Sequence, residues 1–423
     1  MRYQPLSQNF YKNNRKNFIS RLKENSLAIF HSNDVMPTNA DGVMGFRQNN
    51  DLFYLSGIDQ EETIFVIGSD GTETLFIKET SELIKIWEGA KLTKQQAAAL
   101  SGVDDVLWTD EYKPWIVQKL KDVQSLYISK NEHARHSSEV QTRNERMFSE
   151  LALTEQIKVE SSAPILQQMR YVKQTPEIQQ IQIACDITEK AFRRVLKSLK
   201  PGVTEHEIEA EITHEFLINK SRGHAYAPIV ASGANACVLH YIDNNDVCKE
   251  GDLVLMDFGA EYGNYNADLT RTIPANGKFS PRQKDVYQAT LRIHNLAKEL
   301  LVPGGTFEQL NTEVARAMEL ELIGLGLFDH TDVKNQDKNN PLYRKYFMHG
   351  TSHSLGLDVH DVDDRTIPFQ EGMVFTCEPG IYIIEEGIGI RIENDIALTS
   401  QGNTDLMKNI PIEVEEIENI MNK

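Results

Sequence analysis

Residues 250–259 read EGDLVLMDFG: a turn signal, a short apolar run and then an acid. The apolar run has the length and composition of a buried strand, which puts Asp257 at the end of that strand. A carboxylate next to an apolar strand needs a partner. A single acid of this kind is explained well enough as a strand-end or turn residue. Several acids in similar settings point instead to a shared site.

The stretch has a second copy later in the chain. Residues 371–380 read EGMVFTCEPG and align with 250–259 without a gap, so that Glu378 matches Asp257. Further upstream, LKPGVT at 199–204 matches LVPGGT at 301–306, and each threonine begins a capping-box pattern. The sequence therefore predicts a C-terminal half made of two repeats. If the repeats face each other across a pseudo-twofold axis, Asp257 and Glu378 come together.

Two more acids and one histidine complete a candidate metal site. Asp268 follows Ala267 before an apolar stretch, and Glu393 ends the run GIRIE at 389–393. Four neighbouring carboxylates would repel one another and take up protons, whereas two divalent cations would neutralise them. The segment MHGTSHSLGLDVHD at 348–361 supplies the imidazole. The predicted ligands are Asp257, Asp268, His353, Glu378 and Glu393.

The donor set also limits the metal. The histidine segment does not read HExxH, which argues against a zincin. An oxygen-rich site with one imidazole suits Mn²⁺, or Co²⁺ and Fe²⁺, better than it suits a structural zinc. His240 and His360 occupy matching points of the two repeats and could donate hydrogen bonds to a developing oxyanion. Arg391, two residues before Glu393, could hold a metal-bound carboxylate. Taken alone, it is better explained as a solvated charge on a strand.

Composition narrows the class of protein. The net charge of −18 argues against nucleic acid or an anionic membrane surface as a partner. The four cysteines form no metal-binding or CxxC spacing and are typical of free thiols in a reducing compartment. The chain offers no apolar run of transmembrane length. These features predict a soluble cytoplasmic protein.

The first part of the chain predicts a separate α/β domain, residues 1–165, followed by a catalytic domain at 166–423. An Asp-Gly turn between two alternating runs indicates a β-hairpin. The predicted strands are 27–30, 52–55, 63–67, 74–77 and 126–128. Helical periodicity covers 81–100 and 115–123. Pro176 is expected to start a long helix that ends near Leu199.

With these residues in place, the chain resembles the pita-bread metallopeptidases of the creatinase/aminopeptidase type, and within them aminopeptidase P. The five predicted ligands carry the resemblance in the catalytic half. FRQNND at 46–51, YLSG at 54–57 and IWEG at 86–89 carry it in the N-terminal half. The resemblance implies an α/β (α+β) fold, with a creatinase-like α/β domain followed by a pita-bread domain that contains the internal repeat.

The resemblance also implies roles for individual residues. Asp257 would chelate one metal ion, Asp268 and Glu393 would bridge two, and His353 with Glu378 would complete the other. Glu378 would also shuttle a proton. His240, His349 and His360 would contact the substrate or stabilise the transition state. Ser354 departs from the family pattern, since bacterial relatives often carry an aromatic residue there, and this puts the shape of a subsite in doubt.

Arg47 and Trp87 resemble family residues that contact the substrate or a neighbouring subunit, which implies a homodimer or homotetramer. The alternative for Trp87 is a place in the core of its own domain. The implied reaction is hydrolysis of the bond before a proline at the second position of a peptide, by attack of a metal-bridging hydroxide. Two divalent ions per chain are expected, Mn²⁺ first, with Co²⁺, Fe²⁺ or Zn²⁺ as alternatives.

Two other functions remain open from the sequence. A prolidase, which cleaves Xaa-Pro dipeptides only, shares every metal ligand. A non-catalytic peptide- or protein-binding module on the same fold is disfavoured because each ligand is present. Few basic residues surround the histidine segment, which favours longer peptides over a dipeptide whose carboxylate must be captured.

Overall fold

The computed structural model describes residues 2–133, 135, 137–151, 153 and 155–423. The chain divides into two compact units, Pro5–Arg170 and a larger unit formed by residues 2–4 with Tyr171–Lys423. None of the helices in the described part of the chain combines the length and the apolar character needed to cross a bilayer.

The helices alternate with strands in the smaller unit and flank short sheets in the larger one. The helices are α1 (Gln8–Ile19), α2 (Asn50–Ser56), α3 (Glu82–Glu88), α4 (Lys94–Ser101), α5 (Tyr112–Lys119), α6 (Arg143–Ser149), α7 (Ala163–Tyr171), α8 (Thr175–Ser198), α9 (Glu205–Ile218), α10 (Pro281–Leu300), α11 (Phe307–Gly324), α12 (His330–Asn335) and α13 (Val414–Met421). The strands are β1 (Ser26–His31), β2 (Ile64–Gly68), β3 (Glu73–Ile77), β4 (Asp105–Trp108), β5 (Ser125–Ile128), β6 (Lys158–Ser161), β7 (Ile229–Ser232), β8 (Leu253–Asp257), β9 (Glu261–Tyr262), β10 (Tyr265–Asn266), β11 (Thr270–Pro274), β12 (Val374–Cys377), β13 (Gly380–Ile383), β14 (Ile388–Arg391), β15 (Asn394–Thr399) and β16 (Gly402–Asp405).

The smaller unit is built on one mixed sheet with the strand order β4-β3-β2-β1-β5-β6. β2 and β3 form the hairpin predicted from the sequence, and Gly71 takes the left-handed conformation that its turn requires, with φ +89°. β1 pairs antiparallel with β2 and parallel with β5. Apolar side chains of these strands pack with α5 into the core of the unit.

Two predicted elements of this unit are wrong in type or extent. The run 52–55 is not a strand but part of α2, because the Asn49 side chain caps the helix at Leu52 N and Gly57 ends it with φ +70°. A four-residue apolar run does not distinguish a strand from a buried helix, so the caps decide. The predicted helix at 81–100 is two helices: Gly89 ends α3, and a capping box at Thr93 starts α4.

The larger unit opens with the long helix predicted to begin at Pro176. α8 carries that proline in its first turn and ends one residue before Leu199. α9 follows, and Thr204 with Glu207 forms the capping box expected there. Thr306 likewise caps α11 by accepting from Gln309 N. The helices that begin at equivalent points of the two sequence repeats therefore have matching starts.

The two repeats have the same strand pairing around the acids. β8, which ends at Asp257, pairs antiparallel with β11, and Asp257 lies opposite Thr270. β12, which ends just before Glu378, pairs antiparallel with β15, and Cys377 lies opposite Asn394. The sheets are not identical, because β8 is the central strand of β11-β8-β7, whereas β12 is the first strand of β12-β15-β16.

Hydrogen bonds join the two repeats side by side. Glu393 N donates to Thr270 O at 3.0 Å, and the fully buried Arg271 donates from Nη1 to Glu393 O at 2.7 Å. Arg391 N donates to Thr272 Oγ1 at 3.2 Å. β11 therefore lies beside the 391–393 segment, and this contact brings the acids of both repeats to one place.

Candidate metal centre

The structure gathers the predicted ligands where these strands begin and end. Asp268, His353 and Glu393 are buried, and one ligand atom of each lies within 4.8 Å of the others. His353 Nε2 is 3.5 Å from Asp268 Oδ2 and 3.6 Å from Glu378 Oε1. Tyr226 Oη lies within hydrogen-bond distance of one oxygen each of Asp257 and Asp268. All five side chains named from the sequence thus belong to one cluster.

The tautomer of His353 follows from its contacts. Its Nδ1 lies 3.0 Å from Ser354 O. A carbonyl oxygen only accepts hydrogen bonds, so Nδ1 carries the proton and the Nε2 lone pair is directed into the carboxylate cluster. A ligating histidine typically fixes its second nitrogen on a carbonyl or a carboxylate in this way. The geometry fits His353 Nε2 as a metal ligand.

The pKa values of the clustered acids indicate whether the site suits a cation. Burial raises the pKa of Asp268 well above its ordinary range, and the neighbouring Asp257 raises it further. Burial, followed by repulsion from Asp268 and Glu378, does the same to the pKa of Glu393. Burial also raises the pKa of Glu378 to about 7. Without a cation these carboxylates would hold protons, so divalent cations would take over the neutralising role.

Arg391 is the one guanidinium hydrogen-bonded to the carboxylate cluster in the described part of the chain. Its Nη2 donates to Asp257 Oδ2 at 2.6 Å, and its Nε donates to Thr270 Oγ1 at 3.0 Å. Thr270 Oγ1 in turn donates to Glu393 Oε2 at 2.6 Å. Arg391 is 4% exposed, so it is not a solvated strand charge. It orients Asp257 of the first repeat directly and Glu393 of the second repeat through the Thr270 hydroxyl.

A chain of hydrogen bonds links Arg391 to His349. Arg391 Nη1 donates to Tyr382 Oη at 2.8 Å, and Tyr382 Oη lies 2.8 Å from His349 Nε2. His349 Nδ1 lies 2.8 Å from Gly350 O and therefore carries the proton. Burial, followed by the charge of Arg391, lowers the pKa of His349 to about 3. His349 is accordingly a neutral imidazole whose Nδ1 is 3.8 Å from Glu378 Oε2.

The remaining predicted residues lie at the surface. His360 is exposed, and its ring packs edge-on against His353 with the centroids 4.3 Å apart. His240 is exposed on the loop between β7 and β8, close enough to contribute to the low pKa of His349. Arg47 and Trp87 belong to the smaller unit. Trp87 is 79% exposed on α3, so the alternative that it lies in the core of its own domain is wrong.

Sequence reasoning missed several side chains that contact the ligands, Thr270 among them. Tyr226 reaches Asp257 because it precedes β7, in which Ile229 lies opposite Asp257. Asp395 is completely buried, and its Oδ2 accepts from Asp268 N at 3.0 Å and from Cys185 Sγ at 3.3 Å. The register of β7 on β8 is not readable from the sequence. Asp395 did carry a signal, since it is a second acid two residues after Glu393 within an apolar strand.

Comparison with known proteins gives matches over nearly the whole chain. Residues 179–400 match the model of metallopeptidase family M24, and residues 11–127 match the model of the aminopeptidase P N-terminal domain. The Xaa-Pro aminopeptidase of Escherichia coli is 35% identical over 98% of this chain and 98% of its own.

Two solved structures of E. coli aminopeptidase P superpose on this chain with TM-scores of 0.89. One contains the inhibitor Pro-Leu and is 32% identical in sequence; the other is zinc-substituted, holds the product and is 33% identical. Each alignment covers 99% of both chains.

Proposed function

Because the chain belongs to metallopeptidase family M24, we propose that it is an Xaa-Pro aminopeptidase, which removes the first residue of a peptide whose second residue is proline. The observation that carries the proposal is the buried cluster of Asp268, His353 and Glu393, with Asp257 and Glu378 beside it. The similarity to Xaa-Pro aminopeptidases extends through both units, which favours this activity within the family.

The proposed cofactor is a pair of divalent metal ions, Mn²⁺ in the first place, with Co²⁺, Fe²⁺ or Zn²⁺ as alternatives. Asp257, Asp268, His353, Glu378 and Glu393 would hold them, with Asp268 and Glu393 as the bridging acids. Four carboxylates and one imidazole form the oxygen-rich donor set that favours Mn²⁺. When bound, the ions supply Lewis-acid polarisation of the scissile carbonyl and lower the pKa of the attacking water.

The protein side chains would position the substrate and move the proton. Glu378 has an oxygen near His349 Nδ1 and another near His353 Nε2, so its carboxylate is placed to take a proton from the attacking water and deliver it to the leaving nitrogen. His360 is exposed against the His353 ring, and His240 is exposed within electrostatic range of His349. Both would donate hydrogen bonds to the substrate. Arg391 would keep Asp257 oriented.

Peptides longer than two residues are the proposed substrates. A prolidase must capture the carboxylate of a dipeptide with a cation. Of the basic residues around the histidine segment, Arg344 is exposed, and three are paired with acids: Lys345 with Glu385, Arg365 with Asp363, and Arg391 with Asp257. Their engagement with acids supports a site that leaves the far side of the proline open.

The proposal extends to organisation and assembly. Residues 1–165 and 166–423 would be the two functional domains, an assignment supported by the two compact units. A homodimer or homotetramer is supported by the exposed apolar residues Leu83, Ile86 and Trp87 on α3. The four unpaired cysteines support a cytoplasmic location, and the net charge of −18 supports peptides rather than nucleic acid or a membrane surface as partners.

A substrate series tests the proposed function. The Mn²⁺-loaded protein is assayed on a tripeptide Xaa-Pro-Xaa, the matching dipeptide Xaa-Pro, and a tripeptide with alanine in place of proline. We expect kcat/KM to be highest for the proline tripeptide and nearly zero for the alanine tripeptide. Preference for the dipeptide would indicate a prolidase, and efficient cleavage of the alanine peptide would contradict both activities. Metal-depleted protein is the control.

A further inference from the structure

Residues 233–247, here called the His240 loop, lie between β7 and β8 and carry an exposed histidine. Val238 and Ile242 on either side of His240 are 54% and 59% exposed. The intervening Leu239 and Tyr241 are half-buried against the cluster that contains Tyr382. A substrate-contacting side chain on a surface loop needs a support that fixes its position, because a shift of about 1 Å is enough to slow a reaction strongly.

One buried carboxylate makes several contacts with this loop. Glu205, the first residue of α9, is completely buried. Its Oε1 accepts from the amide of Ser232 at 2.7 Å, from Ser232 Oγ at 2.8 Å and from Asn235 Nδ2 at 3.4 Å. Its Oε2 accepts from Tyr241 Oη at 2.8 Å and from the amide of Asp246 at 2.9 Å. One side chain therefore binds the start, the middle and the end of the His240 loop.

The chemistry of these contacts argues for a positioning role. A buried carboxylate is costly unless its lone pairs are satisfied, and all five of these donors are neutral groups. The N-terminus of α9 adds favourable partial positive charge. An apolar side chain would fill the same space without the cost of desolvating a charge. The presence of a carboxylate is therefore explained by the loop groups that donate hydrogen bonds to it.

Two further contacts fix the loop relative to the metal centre. The 3-10 helix Gly233–Cys237 lies directly on β14, since a Cβ at Gly389 would come within 2.1 Å of Ala236 O. β14 ends at Arg391, the residue that bonds Asp257. At the other end of the loop, Asn244 donates from Nδ2 to Pro228 O at 2.9 Å.

We propose that Glu205 is a positioning residue for His240. Its carboxylate ties the His240 loop to α9 and β7, so that the imidazole is held at the metal centre without any direct contact between the two side chains. The inference rests on the proposed function, in which His240 contacts the substrate.

A double-mutant cycle tests the proposal. Glu205→Gln keeps the size of the side chain but places an amide group among hydrogen-bond donors. In the otherwise unaltered protein, we expect Glu205→Gln to lower kcat about 10- to 100-fold with metal content unchanged. In the His240→Ala background, we expect the same substitution to change kcat less than about twofold, because the two residues act as one unit. Glu207→Gln, exposed on the same helical turn, is the matched control. If Glu205→Gln lowers kcat by the same factor in both backgrounds, the proposal is wrong.

A second measurement does not depend on activity. Hydrogen exchange of the backbone amides at 238–246 should be faster in Glu205→Gln and in Tyr241→Phe, which removes one of the five donors, than in Glu207→Gln. Unchanged exchange in both variants would reject the positioning role. If the metal-loaded protein cleaves no Xaa-Pro peptide, the proposed function fails, while the exchange rates still decide whether Glu205 holds the loop.

Discussion

Lys173 Nζ and Asp361 Oδ2 lie 3.0 Å apart, and both side chains are 1% exposed. Lys173 Nζ also donates to Ser354 Oγ at 3.2 Å. A side chain at position 356 would displace the pair, because a Cβ at Gly356 would lie 2.3 Å from Asp361 Oδ2. Lys173 is therefore bonded at two points to the segment that carries His353 and His360.

Removal of one partner should destabilise the larger unit. Lys173→Met removes the cation that lies 3.0 Å from the buried carboxylate of Asp361, and breaking a buried ion pair in this way costs about 3–5 kcal/mol of unfolding free energy. Urea unfolding followed by far-UV circular dichroism is the measurement, since all three tryptophans belong to the smaller unit. Lys345→Met, which breaks an exposed pair with Glu385, should have no measurable effect. Equal losses of unfolding free energy in the two variants would contradict the assignment of Lys173 and Asp361 as a buried ion pair.

Neutralising either of the proposed bridging acids should remove metal and activity together. Asp268→Asn and Glu393→Gln each delete a negative charge from the buried cluster. A dinuclear site should hold about two Mn²⁺ ions per chain, and both variants should bind fewer. Elemental analysis after dialysis measures the metal content. Glu415→Gln, at an exposed acid paired with Lys284, is the control. Full activity in metal-depleted Asp268→Asn would refute the dinuclear site.

His360→Ala should separate catalysis from metal binding. The exposed imidazole is proposed to donate to the transition state and not to bind metal, so kcat should fall by about 10²-fold while the metal content stays unchanged. His330→Ala, another exposed histidine, serves as the control. Loss of metal in His360→Ala would make it a ligand and would contradict the assignment of His353 as the sole imidazole ligand.

The exposed face of α3 should lie in a subunit contact. Trp87→Glu puts a charge on an apolar surface that includes Leu83 and Ile86, so it should dissociate the proposed dimer or tetramer. Light scattering gives the mass of the particle in solution. Val140→Glu, at a 61% exposed position of the same unit, should leave the mass unchanged. A monomer with full activity would rule out the proposed assembly.

Buried histidines should make stability fall in acid. Burial, followed by Arg271, lowers the pKa of His294 to about 3, against about 6.5 in the unfolded chain. Between these values the unfolded state binds the extra proton, so stability falls by about 1.4 kcal/mol per pH unit as the pH drops from 6.5 towards 3. His294→Phe should reduce that slope in urea unfolding of metal-free protein, and His330→Phe should not. An unchanged slope in His294→Phe would mean that His294 is not buried as a neutral ring.

The sequence predicted the ligand cluster because each acid follows or precedes a short apolar run, and that signal is local. It could not predict Tyr226 or Glu205, whose partners are set by strand register and by a loop that folds back on a helix start. The run at 52–55 shows that a local pattern can also predict the wrong type of element. Four apolar residues fit a strand or a helix, and the Asn49 cap with Gly57 selects the helix. Local sequence patterns thus identify acids that need partners, whereas the tertiary structure determines which residues those partners are.

The unequal contribution of the two repeats has a consequence for biosynthesis. Asp257 and Asp268 come from the first repeat, and His353, Glu378 and Glu393 come from the second, joined by the contact of β11 with the 391–393 segment. A nascent chain that has emerged only through the first repeat offers two acids without the imidazole or their counterparts. With the proposed ligand set, we expect cations to bind only to chains whose translation has passed Glu393.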